Sequence, residues 1–173
     1  MDDHPLLRQR AFTLIELMIS ITVLLVLTAI AVPSFSDVLA KNRLSSQANT
    51  LLSVFQLARS EAIKQNQMIR LCKANAELDD CSVASGAWTG WLLLDTASPA
   101  TVLRADYFDD QLTVTAPFTE LRFSAQGLIR SQNNQPLSAE VQLCAAGDFA
   151  DNGRTISFLS GGRSHIVPVQ CGS

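Results

Sequence analysis

From Phe12 to Val32 the chain reads FTLIELMISITVLLVLTAIAV, an apolar run interrupted by a single charge, Glu16. At 1.5 Å rise per residue a helix of this length spans roughly 30 Å, the thickness of a bilayer core. Such a helix has no polar face to turn toward water, so it belongs in lipid or among other helices. Arg8 and Arg10 close the polar stretch that precedes it, which predicts a cytoplasmic N-terminus and export of everything beyond the run. The remaining sequence has the length of one ordinary domain within a chain of 173 residues.

Three arrangements accommodate the run: a plain transmembrane anchor, a cleaved signal peptide, or an anchor trimmed just before its first apolar residue. Ala29-Ile30-Ala31 fits the small-x-small pattern of signal-peptide cleavage. Glu16 argues against that arrangement, because a carboxylate at the centre of a membrane helix costs about 2.5–3.5 kcal/mol on insertion scales and needs a reason to be there.

The residues Ala11-Phe12-Thr13-Leu14-Ile15-Glu16-Leu17 resemble the processing site of type IV prepilins, where a small residue precedes Phe-Thr-Leu-Ile-Glu. The resemblance implies cleavage between Ala11 and Phe12 by a prepilin peptidase and methylation of the new N-terminus. Residues 1–11 would then be a leader and 12–33 a transmembrane and filament-core helix. Most family members have glycine where this chain has Ala11, the next smallest side chain. Pro33 falls at the family's usual kink position. A carboxylate in lipid seeks a cation, and the freed amine of Phe12 on a neighbouring subunit would give Glu16 an assembly role.

Residues 34–66 continue with helical spacing, Leu44, Ala48, Leu51, Leu52, Phe55, Ala58 and Ala62 recurring at intervals of three and four. This predicts an amphipathic stem. Across 67–173 the period falls to two in MIRLC, WLLLD, TVLRA, LTVTA, LRFSA, EVQLC, TISFL and HIVPV, separated by Gly, Pro, Asn, Asp and Ser clusters. An α+β fold follows, with a long helix packed on antiparallel sheet or sheets, and Pro168 places the last run at an edge or limits it to partial strand character. Trp88 and Trp91 bracket Gly90, which suits a turn or bulge at a strand start, and their rings suit core or rim packing.

Cys72, Cys81, Cys144 and Cys171 contain no C-x-x-C pair, which favours disulfides over zinc in an exported domain. Of three connectivities, Cys72 with Cys81 and Cys144 with Cys171 is expected, since each joins neighbouring segments. The sequence assembles no catalytic group: His165 is the sole histidine beyond the leader, and no nucleophile elbow or P-loop accompanies it. Asp79-Asp80 and Asp109-Asp110 read as solvated loop residues. Asp148, Asp151 and Asn152 lack calcium-loop spacing, so no metal and no cofactor is expected.

Ala58-Arg59-Ser60-Glu61-Ala62, Trp88-Thr89-Gly90-Trp91 leading to Asp95, and Arg154-Thr155-Ile156 followed by Gly161-Gly162-Arg163 resemble the GspH/FimT-type minor pilins and pseudopilins, with FimU-like minor pilins closest in pattern. The resemblance implies a non-enzymatic subunit that helps initiate a type IV pilus, held in the bacterial inner membrane with a periplasmic domain. Its implied partners are the prepilin peptidase, other minor pilins and the major pilin. The alternatives are a minor pseudopilin of type II secretion, or a DNA-binding minor pilin of natural transformation. Some FimT-like relatives bind DNA through Gly-Arg-x-Arg. Here Arg163 keeps the first arginine, while His165 stands where the pattern has a second permanent charge. A net charge of -3 also disfavours DNA as a partner.

Overall fold

The computed structural model describes residues 12–96, 99–147 and 149–172, the side chains of residues 30–34 excepted. The expected leader lies outside these residues. The chain divides into two compact units, Met1–Val38 and Leu39–Ser173.

Helix α1 spans Leu14–Gln65. Thr13 is its N-cap: the Thr13 hydroxyl accepts a hydrogen bond from the Glu16 N–H at 3.3 Å, one half of a Thr-x-x-Glu capping box. At the other end Asn66 adopts a φ of 51°. The Gln67 and Asn66 N–H groups donate to the carbonyls of Ala62 and Ile63. These are the paired bonds of a Schellman ending, with asparagine in the left-handed position that glycine usually takes. The Gln65 amide also donates to Glu61 and, with Lys64 nearby, holds that carboxyl below its ordinary range.

Among the described residues of the second unit nine strands follow the helix: β1 (Ile69–Lys73), β2 (Gly90–Asp95), β3 (Val102–Tyr107), β4 (Leu112–Thr115), β5 (Glu120–Phe123), β6 (Ile129–Arg130), β7 (Ala139–Ala145), β8 (Gly153–Phe158) and β9 (Ser164–Val169). They form a five-stranded sheet in the order β3-β2-β1-β5-β6 and a four-stranded sheet in the order β4-β7-β8-β9, antiparallel throughout. The helical stripe expected from the sequence supplies Leu44, Ala48, Leu51, Phe55, Ala58 and Ala62 to one core with both sheets. Val54 joins it and Leu52 sits at its margin.

Strand β2 is buried along its whole length. Trp91 and Leu93 face the main core, while Leu92 and Leu94 pack with Cys72 and Ala74 in a second cluster bordered by Leu78 and Cys81. The continuous apolar spelling WLLL is therefore that of a strand covered on both faces. Gly90 opens this strand, but the expected bulge does not lie there: register slips between Leu93 and Leu94. A side chain at Gly90 would meet the Asp106 carbonyl at 2.9 Å and Leu78 at 3.0 Å, so close packing is what requires the glycine. Trp88 and Trp91 are both core residues. The last strand, β9, is an outer one, with Pro168 opposite Arg154.

Candidate functional site

Every described side chain from Phe12 to Ala29 is exposed. A soluble chain does not leave so large an apolar surface uncovered, which marks this stretch as an interaction surface. Its hydroxyls do not soften it: Ser20 donates to the Glu16 carbonyl and Thr22 to that of Met18, at 2.7 and 2.8 Å, and Thr28 to that of Leu25. Each donor is thereby turned back onto the helix. No helix among the described residues is long and apolar enough to cross a membrane. The side chains of residues 30–34, which continue the run in sequence, lie outside the described residues.

Glu16 is exposed within this surface, and among the described residues it has no ion pair. Its position at the third residue of α1 places it in the turn where a negative charge is favoured by the helix dipole. Ala11 lies outside the described residues. Pro33 falls within the bounds of α1, but its side chain, and with it the expected kink, lies outside what is described.

Two of the three stretches that carried the resemblance meet in the second unit. The Arg59 guanidinium, from the helix, donates to the Gly162 carbonyl at 3.0 Å across 103 residues of chain. Gly162, at a φ of +80°, and Gly127, at +73°, close over it, and a Cβ at either would lie within 3 Å of the Arg59 side chain. Glycine is needed at both for conformation and for space. Arg163 and His165 follow on the β8–β9 turn and strand β9, both exposed. The third stretch is elsewhere: Trp88 packs edge-on to Phe118 at 5.8 Å, and the Asp95 carboxylate accepts the Thr101 N–H.

Cys72 is bonded to Cys81 and Cys144 to Cys171, with Cα separations of 5.7 and 6.0 Å. Asn152 supports the second bond: its side-chain oxygen accepts the Cys171 N–H at 2.7 Å, and its amide donates to the Gly147 carbonyl. Asp148 lies outside the described residues. Asp79 pairs with Asn75, while Asp109 accepts the Gln111 N–H and lies 4.0 Å from Arg43 of the helix. Sequence reasoning missed Glu120, buried and ion-paired to both Arg70 and Arg122. Among the described residues no group of three or more His, Cys, Asp or Glu could hold a metal ion.

The second disulfide closes 27 residues of chain against 9 for the first. Chain-entropy treatment assigns about 3.5 kcal/mol to the longer loop and about 2.6 kcal/mol to the shorter. Replacing Cys144 and Cys171 together by alanine is therefore expected to lower stability more than replacing Cys72 and Cys81. Urea titrations followed by tryptophan fluorescence report this, since both tryptophans are buried. The reverse ranking would show that the entropy of the unfolded chain is not what these bonds control.

Residues 47–163 match the family described as type II transport protein GspH, and residues 6–32 match the prokaryotic N-terminal methylation motif. Among solved structures the chain is similar to the type IV minor pilin FimU of Pseudomonas aeruginosa, at 27% identity, with 74% of this chain and 90% of that chain covered at a TM-score of 0.57. A second crystal form of FimU gives 27% identity, 72% and 93% coverage and a TM-score of 0.54. The fold alone is shared with the minor pseudopilin EpsH from the type 2 secretion system of Vibrio cholerae, at 10% identity, 73% and 97% coverage and a TM-score of 0.53. No curated relative matches the chain in sequence.

Proposed function

The chain belongs to the GspH family, whose members are minor pilins and pseudopilins, and from that footing we propose that it is a minor pilin that helps initiate and assemble a type IV pilus. The observation that carries this choice is the contrast in identity: 27% to FimU against 10% to EpsH, at nearly equal TM-scores. The N-terminal segment supplies the means. Its exposed apolar helix anchors the subunit in the inner membrane and later packs among other pilins. Glu16 meets the amine of Phe12 on the adjacent subunit, which relieves the cost of an unpaired carboxylate in an apolar surrounding. Deleting the gene and scoring surface pili and protein secretion in parallel tests the choice. Loss of pili with secretion intact is expected, and the opposite pattern would assign the chain to a type II secretion pseudopilus.

The methylation motif over residues 6–32 implies prepilin peptidase processing. The mature chain is expected to begin at Phe12 with a methylated amine, read by intact mass and N-terminal peptide analysis of membrane-extracted protein. A start at Val32 would instead establish an ordinary signal peptide and remove the anchor.

A further inference from the structure

Between the last turns of α1 and the β8–β9 turn lies a cavity of about 590 Å³, with Gln56, Arg59, Ser60, Ile63, Arg163 and Ser164 around its opening and Phe55 and Phe158 among the residues beneath. Its size is that of a site for a ligand of a few residues. Two guanidiniums line it and no carboxylate does. The Arg59 Nε–H is buried without a hydrogen-bond partner among the described residues, although the Nη1 of the same group is satisfied by Gly162. Arg163 is exposed, and no described side-chain hydrogen bond or ion pair engages it. In a chain of net charge -3, a pocket with two arginines and no acid is a local reversal of sign.

We propose that this cavity binds a carboxylate side chain of an acidic and apolar peptide segment from another protein, with Arg59 and Arg163 taking the carboxylate and Ile63 the adjoining apolar residue. Guanidinium is the group best matched to carboxylate and phosphate by its fork of donors. The apolar part of the site decides between the two. Ile63 is 51% exposed at the rim, and an aliphatic neighbour of the acid gains by covering it, whereas a phosphate does not. The negative net charge further opposes a polyanion. The inference rests on the cavity and its charge, and does not require the filament reading.

The test uses the full chain, ¹⁵N-labelled and held in detergent micelles, titrated with the capped peptides acetyl-Leu-Glu-Leu-amide and acetyl-Leu-Gln-Leu-amide. The glutamate peptide is expected to shift the Arg59 Nε–H and the Gly162 amide resonances saturably, with the glutamine peptide at least tenfold weaker. Arg163→Gln, at an exposed position, is expected to keep the rest of the spectrum and weaken the glutamate peptide at least tenfold. Equal binding of the two peptides, no shift at Arg59, or an unaltered Arg163→Gln titration would overturn the proposal. So would inorganic phosphate or a short DNA duplex moving the same resonances at lower concentration than the glutamate peptide.

Discussion

Glu16→Ala is expected to abolish incorporation of the chain into filaments while leaving it membrane-bound. The carboxylate stands in an exposed apolar helix surface and has no ion pair among the described residues. Its removal should ease insertion, since a charge in a membrane helix is unfavourable by about 2.5–3.5 kcal/mol at the centre and by less near the end. In the assembled state the sign reverses. Breaking one partner of a buried pair costs about 3–5 kcal/mol, a factor of about a hundred to a few thousand in subunit affinity. Immunoblots of sheared filaments against membranes measure the partition. Wild-type levels of the variant in filaments would end the assembly role of Glu16.

Phe55→Ala should strongly destabilise the second unit. Phe55 is 3% exposed, lies parallel to Phe158 with centroids 3.4 Å apart and meets Phe123 edge-on at 5.7 Å. It thus joins the helix to a strand of each sheet, β8 and β5. Truncation of a core phenylalanine costs about 3–5 kcal/mol, a large share of the 5–15 kcal/mol typical of a domain. Phe35→Ala, at a side chain 63% exposed, should leave stability within about 0.5 kcal/mol. Urea midpoints of the two variants, read from tryptophan fluorescence, give the comparison. Similar midpoints would mean that the three rings do not hold helix and sheets together.

Much of this fold is legible because burial on one side imposes a period. Leu44 through Ala62 recur every three or four residues because one stripe of the helix faces the sheets, and the eight apolar runs beyond Gln67 each overlap an observed strand. Strand β6 escaped notice because two residues, Ile129 and Arg130, are too few to display alternation. Division into two sheets was likewise hidden. The pairing of β4 with β7 passes over β5 and β6, and nothing local in LTVT names that distant partner.

The candidate sites divide along the same line. Glu16 was legible because one charge in an apolar run is conspicuous without any fold. The Arg59–Gly162 contact was not, although both residues stood in the stretches that carried the resemblance, because a separation of 103 residues leaves no periodic trace. The cavity beside them was invisible for that reason too. Arg59 reads in sequence as one more charge on a solvated helix face, and only the two glycines closing over it reveal a guanidinium held in place.

Pro168 on β9 carries a consequence for crowding. A filament gathers its subunits at enormous local concentration, where any open strand edge invites a neighbour's strand to zip alongside. A residue with no N–H to offer spoils that template at the outer margin of the four-stranded sheet. In the proposed filament, neighbouring heads would then jostle side by side without fusing into a common sheet at this edge.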